Sequence, residues 1–457
     1  MTGTSAPVTE THPSVLWFRR DLRLRDHAAL MAAAERGPVT ALFVLDDELL
    51  SRSGAPRTAF LLRTLRSLAA DLEHHGGGLV VRRGRPEEVV PALAREIGAS
   101  GVHISADYAP YGARRDARVS EALGDVPLVP TGSPYAVAPG RILKGDGTPY
   151  KVYTPFHRAW SEHGWRRPAD SDPSQTQWLV VGGDDIPDDP DVDAQLPPAG
   201  EAAALDAWEL FRDNGLRRYP KQRNRPDIDE TSRMSPHLKL GTIHPRTILA
   251  DLGPAHEAYR RQICWRDFYA QVLHHWPSSA HDYLKPAFKH MQYDTGEVAQ
   301  QRFSAWQRGE TGYPIVDAGM RQLLAQGWMH NRVRMVVASF LVKDLHLEWT
   351  QGAQHFMDHL IDGDLANNQH GWQWTAGTGT DAAPYFRVFN PVAQGEKFDP
   401  DGDYVRRWVP QLRDIPGAAA HSPWAQPQPP ADYPPPIVDH AAERRESLER
   451  LKAIGAT

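Results

Sequence analysis

Val39-Thr40-Ala41-Leu42-Phe43-Val44-Leu45 is a short run without a charge, and it reads as a strand buried on both faces. Val15-Leu16-Trp17-Phe18 precedes it in the same style, and Leu79-Val80-Val81 and Val102-His103-Ile104 follow. Between these runs, residues 55–75 and 86–97 read as helices, and His74-His75-Gly76-Gly77-Gly78 stops the first. Strands alternating with helices from Val15 to about Val129 predict an α/β unit: a doubly wound parallel sheet with helices on both faces. Its bounds are set at 13–135. No GxGxxG opens a helix here, so an ordinary dinucleotide site has no support.

From Ser133 the alternation breaks down. Residues 170–200 are rich in Asp, Pro and Gly and predict a long surface connector, its acidic run a solvated linker. The linker is placed at 136–200, and a mainly helical second domain at 201–457. Its helices are expected at 202–214, 245–252, 257–275, 317–326, 330–346 and 352–361. Residues 422–436 are Pro-rich and read as extended. Asp439 is placed to cap a final helix carrying Leu448 and Leu451.

Composition narrows the class. The 457 residues contain no apolar run long enough to span a bilayer, and the first fourteen lack a signal-peptide pattern. Cys264 is the only cysteine, which excludes an internal disulfide framework and a Cys-based zinc site. A soluble monomer of the reducing cytoplasm, without a metal, is the expectation. The formal charge of -6 does not advertise nucleic-acid binding, so a DNA partner would need a local basic patch. Fourteen tryptophans are many for this length, and core packing accounts for them as readily as function does.

Four clusters carry chemistry. Asp362-Gly363-Asp364-Leu365-Ala366-Asn367-Asn368-Gln369-His370-Gly371-Trp372-Gln373-Trp374 is poor helix material and suggests a polar loop around a ligand with an aromatic wall. Trp372 and Trp374 share a face in an extended segment and diverge in a helix. In Gly327-Trp328-Met329-His330-Asn331-Arg332-Val333-Arg334-Met335, a helix puts Asn331 and Met335 on one face, an amide beside a thioether that suits a ring-shaped ligand. Thr231-Ser232-Arg233-Met234-Ser235-Pro236 offers hydroxyls and N–H groups for a phosphate, although simple N-capping explains it equally. Arg217, Arg218, Lys221, Arg223 and Arg225 around Tyr219 form a basic patch for phosphate contacts, or a solvated face.

Set in order, these strings resemble a known family. Trp17-Phe18-Arg19-Arg20-Asp21-Leu22-Arg23-Leu24-Arg25-Asp26 looks like the N-terminal signature of the photolyase/cryptochrome family. Thr311-Gly312-Tyr313-Pro314-Ile315-Val316-Asp317-Ala318, the Trp328–Met335 string, and Asp362 to Trp374 with Gly379-Thr380-Asp381-Ala382-Ala383-Pro384-Tyr385-Phe386 look like its flavin-domain signatures. The resemblance is closest to bacterial class I cyclobutane pyrimidine dimer photolyases.

It implies FAD folded within the helical domain and UV-damaged DNA, single- or double-stranded, as partner. By position it implies FAD contacts from Tyr219, Thr231, Ser232, Arg233, Met234, Ser235, Tyr259, Arg266, Asp362, Gly363 and Asp364. Asn368 matches the residue facing flavin N5, and Arg334 and Asp344 match a buried ion pair beside the flavin ring. Trp265 and Trp374 match the walls of the lesion pocket, Asn331 and Met335 its floor, and Arg223, Arg332 and Gln394 contacts to DNA. Light would excite reduced FAD, and an electron lent to the flipped-out dimer would open its ring. Trp372 and Trp349 match two members of the chain that photoreduces the flavin.

Four positions depart from the family pattern. Gln262 stands where Glu commonly faces the dimer; Gln there also occurs in (6-4) photolyases. Tyr259 replaces a flavin-side Trp, and Tyr293 aligns with the outermost Trp of the electron chain. Ala109 stands where folate binders carry Glu, so the antenna is open between a deazaflavin and methenyltetrahydrofolate, with folate the weaker, or the site is empty. The alternatives are a cryptochrome-like photoreceptor, which would carry a long C-terminal extension, and a (6-4) photolyase.

Overall fold

The computed structural model describes residues 12–380 and 387–455. Of the strings quoted above, Asp381, Ala382, Ala383, Pro384, Tyr385 and Phe386 lie outside the described residues.

Five parallel strands make one sheet: β1 (Ser14–Phe18), β2 (Val39–Leu45), β3 (Leu79–Arg83), β4 (Gly101–Ile104) and β5 (Leu128–Pro130), in the order β3-β2-β1-β4-β5. β1 is central, with Val15 beside Thr40 on one side and Val102 on the other. Its side chains alternate as the pleat demands. Leu16 and Phe18 pack under helices Ala28–Ala34 and Ala55–His74, with Leu30, Phe60 and Leu65. Val15 and Trp17 pack under helices Pro86–Glu96 and Pro110–Ala122, with Val90, Leu93 and Val119. The winding therefore reverses at β1, which opens a crevice at the carboxyl ends of β1 and β4.

The 136–200 connector is more than solvated linker. Phe156 and Trp160, one turn apart, bury one face of a helix at Tyr153–His163. Further on, Leu179 N–H donates to Val39 O (2.9 Å) and Asp184 N–H to Val81 O (2.7 Å), so the chain covers the open side of β2 and β3. Asp189 of the acidic run pairs with Arg63 (2.6 Å) and Arg66 (2.8 Å).

From Glu201 onward the described residues are helical or irregular. Helices Glu257–His275, Pro314–Gln326, Asn331–Lys343, Trp349–His359 and Leu365–Ala376 form the centre. Trp306, Trp349, Phe340 and Tyr404 fill one core there, and Trp160, Trp208 and Phe268 another. Asp439 accepts the Ala442 N–H and caps the final helix, His440–Ala453; Leu451 is buried and Leu448 half-buried.

Candidate functional site

The stretch expected as a polar loop is a helix, Leu365–Ala376. Asp364 caps it, accepting Asn367 N–H (3.0 Å) and Asn367 Nδ2 (2.8 Å). Gly377 ends it at φ +87°. Composition misleads here because the polar side chains are spent inside the protein. Gln369 Nε2 donates to Ala280 O (2.6 Å), and Gln373 Nε2 to Ser279 O (2.8 Å) and Asp282 O (3.1 Å). Asn368 Nδ2 donates to Ala353 O (3.0 Å).

Helical geometry sends Trp372 and Trp374 to different sides. Trp372 is buried edge-on to Phe356 (5.0 Å) and Trp306 (6.1 Å), and its Nε1 has no partner. Trp374 is half-buried. The helix packs against both Glu257–His275 and Asn331–Lys343, which carry the other expected site residues.

Asp362 takes Arg334 in a two-pronged pair, at 3.1 Å from Nη1 and 2.7 Å from Nη2. This corrects the expected pairing of Arg334 with Asp344. The two lie ten residues apart at opposite ends of one helix, about 15 Å along its axis. Asp344 is fully buried at the far end and pairs with His440 Nδ1 at 2.5 Å.

Asp364 pairs with Arg20 Nη2 at 2.5 Å, across 344 residues of chain. Burial opposes its charge, but Arg20, Lys239 and Arg266 outweigh it and hold the carboxyl well below the usual range. Arg20 arrives there because the segment after β1 docks on the turn after helix Ser235–Leu240: Leu22 N–H donates to Leu240 O (3.1 Å) and Arg23 Nη1 to Gly241 O (3.0 Å). A Cβ on Gly241, at φ +73°, would stand 2.0 Å from Arg20 O, so only glycine permits the approach. Lys239, on the same helix, had no signal in the sequence. Burial first, then Arg20, pushes its ammonium down to about 7.

The hydroxyl segment gathers beside this cluster. Tyr259 O–H donates to Ser232 Oγ (2.8 Å) and its ring meets Tyr219 edge-on at 5.1 Å. Trp328 Nε1 reaches Ser235 Oγ (3.4 Å). Arg233, at φ +50°, lies over Trp328 (4.6 Å) and pairs with Asp229 (3.2 Å). Met234 is core. Arg266 spends its guanidinium on Pro134 O (2.6 Å) and Leu238 O (2.9 Å), so it braces the walls.

A second group lies toward the surface. Asn331 Nδ2 sits 4.0 Å from Met335 Sδ, as the spacing predicts. Trp265 stacks flat on Tyr153, 3.7 Å between centroids and 4° between planes. Arg332 donates to Asn224 Oδ1 (3.0 Å) and lies over Phe398 (4.5 Å), one turn beyond Gln394. Gln262 Nε2 turns back to Ala258 O (3.2 Å). Arg223 lies 5.9 Å from the Tyr219 ring.

This donor set fits a flavin dinucleotide. Among the described residues no hydrogen bond or ion pair engages Lys239, so a half-buried ammonium is left for a phosphate. Asp362 and Asp364 supply acceptors, and so does the half-buried Asn368 amide oxygen, its two N–H donors being spent on Ala353 O and Gln369 Oε1.

Residues 14–175 match the family described as DNA photolyase, and residues 259–453 the FAD binding domain of DNA photolyase. The deoxyribodipyrimidine photo-lyase of Halobacterium salinarum is 42% identical over 475 residues, covering 95% of this chain and 98% of its own. The chain belongs to the photolyase/cryptochrome family. Solved structures agree. A class III photolyase from Agrobacterium tumefaciens matches with a TM-score of 0.91 at 36% identity, covering 100% of both chains. A cryptochrome from Synechocystis matches with 0.86 at 26%, over 96% of this chain and 99% of its own. FAD is therefore this family member's cofactor, held in the helical half. Among the described residues no helix is long and apolar enough to cross a membrane, and no group of His, Cys, Asp and Glu is arranged to hold a metal.

Proposed function

We propose that this chain is a deoxyribodipyrimidine photolyase, repairing cyclobutane pyrimidine dimers in DNA under light. The observation that carries the reading is the convergence of three packed helices. Helix Leu365–Ala376, which carries Trp374, packs on Glu257–His275 with Trp265 and on Asn331–Lys343 with the Asn331–Met335 pair, and Asp362 and Asp364 just before it hold Arg334 and Arg20.

Reduced FAD, when bound and excited, supplies the electron that opens the cyclobutane ring. The chain's residues do the placing. Asp362, Gly363, Asp364, Arg334, Tyr219, Tyr259, Arg266 and the hydroxyls of Thr231, Ser232 and Ser235 hold and wall the cofactor, with Lys239 on its phosphates. Asn368 offers its amide to the flavin ring. Photolyases act on bases outside the stack. Trp265 and Trp374 would clamp such a lesion by their faces, Asn331 and Met335 would support it, and Gln262 would hydrogen-bond it without charge. Arg223, Arg332 and Gln394 would meet the DNA backbone. Trp372 and Trp349 would return the flavin to its reduced state. We read the protein as a cytoplasmic monomer divided at 13–135, 136–200 and 201–457, its antenna a deazaflavin or methenyltetrahydrofolate.

The test is to illuminate the reduced protein with DNA carrying dimers. Loss of dimers under blue light is expected, and dimers that persist would refute the reading. Gln262 favours (6-4) photoproducts as a second substrate, so both lesions are assayed side by side. Absorption and fluorescence spectra of the purified protein identify the antenna.

A further inference from the structure

The path outward from Trp372 meets a residue that no sequence motif marks. Trp349 is fully buried and its Nε1 has no partner. Tyr283 stands edge-on to it, with centroids 6.4 Å apart and planes at 74°. The Tyr283 phenol donates to Oε1 of Glu348 at 2.7 Å, and Glu348 immediately precedes Trp349. Tyr293, aligned by sequence with the outermost tryptophan, lies beside Tyr283. A phenol has one hydrogen and a carboxylate only accepts. Tyr283 therefore gives its one hydrogen to Glu348. The phenol and the carboxylate form a one-step proton path.

We propose that Tyr283 is the outer electron donor of the photoreduction chain and that Glu348 takes its proton. The proposal rests on reading Trp372 and Trp349 as the inner donors. One electron passes from Tyr283 to the Trp349 radical cation, which becomes neutral indole again. The Tyr283 O–H bond breaks and the proton joins Glu348 Oε1, leaving a neutral tyrosyl radical beside a neutral carboxylic acid. The hole reaches Trp349 from Trp372 after one-electron reduction of the light-excited oxidised flavin. A thiolate from solution later returns an electron to the tyrosyl radical, Glu348 returns the proton, and a thiyl radical leaves. Burial, with Tyr293 and Glu348, keeps the resting phenol protonated far above the ordinary tyrosine range. Without a proton acceptor such a phenol is a poor donor; with Glu348 in contact, electron and proton leave together. Separating them onto different groups also slows recombination.

The experiment follows a laser flash on the full-length protein carrying oxidised FAD, by transient absorption in light and heavy water. A tryptophan radical signal is expected to give way to a tyrosyl signal, more slowly in heavy water. Tyr283→Phe should lose the tyrosyl signal. Glu348→Gln keeps an acceptor oxygen but cannot take the proton, and should lose it too. Tyr293→Phe should retain it. A tyrosyl signal surviving in Tyr283→Phe, parent kinetics in Glu348→Gln, or loss in Tyr293→Phe overturns the assignment. Trp349→Phe separates the two readings. If it leaves the early tryptophan signal and its decay unchanged, the inner-donor reading falls and the proposal with it. If it removes the onward transfer while Tyr283→Phe changes nothing, the proposal alone falls.

Discussion

Gly352→Ala should disturb both the core and the electron path. Gly352 lies in helix Trp349–His359, one turn past Trp349. A Cβ there would stand 2.2 Å from Trp372 Cη2 and 2.5 Å from Leu341 Cδ2, against an ordinary contact of 3.4 Å or more. The indole must retreat by about 1.2 Å or the helices must part. Trp372 and Leu341 are 2% and 0% exposed, so neither has free space to enter. Overpacking a closed core costs about 1–3 kcal/mol, and a clash this deep belongs at the upper end. Alanine returns about 1 kcal/mol of helix propensity. The net loss is about 2 kcal/mol, roughly thirtyfold in the folded-to-unfolded ratio. Urea unfolding gives the stability, and the fading of oxidised-flavin absorbance under blue light gives the photoreduction rate. Both should fall, because the displaced ring is the proposed first donor. Unchanged stability would refute the steric argument. Lost stability with an unchanged photoreduction rate would show that the position of Trp372 does not limit electron flow.

Three further outcomes are expected. Asp362→Asn leaves Arg334 without its buried carboxylate, costing about 3 kcal/mol; it should lower the ratio of flavin to protein absorbance after gel filtration, and a parent-like ratio would remove the pair from the flavin site. Burial, opposed by Val137 N–H and the Trp160 indole, pushes the Asp267 carboxyl up to about 6. The folded state then keeps a proton that the unfolded chain releases near about pH 4, so this contribution is full below that pH and is lost as pH rises through 6, about 3 kcal/mol in all; urea midpoints of Asp267→Asn should fall less steeply across this window than the parent's, and equal slopes would contradict the assignment. Arg332→Ala should reduce the log–log salt dependence of DNA binding by about one phosphate contact; an unchanged slope takes Arg332 off the DNA path.

Four of the five strands were legible because each is a short apolar run, and β2 has the bounds its residues suggest; β5, only Leu128–Pro130, was not. Asn331 and Met335 were legible because i and i+4 is a fixed distance on a helix. The helix at Leu365–Ala376 was not, because its amides bind loop carbonyls from Ser279 to Asp282 that local pattern cannot anticipate. Arg334 pairs with Asp362 across two elements, a choice between acids that one-dimensional order leaves open. Lys239 and Tyr283 stand in strings without chemical contrast, Arg20 stands in a signature string that gives it no partner, and only folding brings them to Asp364 and Trp349.

The contact between Arg20 and Asp364 also has a temporal meaning. At roughly 5–20 residues per second, a ribosome delivers Asp364 some 20 to 70 seconds after Arg20, since 344 residues separate them. For that interval the parallel sheet can fold, but its guanidinium has only the more distant carboxylate of Asp107, at 4.0 Å, to meet. On the proposed reading the flavin seat is closed by a late arrival, so cofactor capture comes at the end of synthesis, and a nascent chain stopped before the last helices would have its parallel sheet and no place to put the electron.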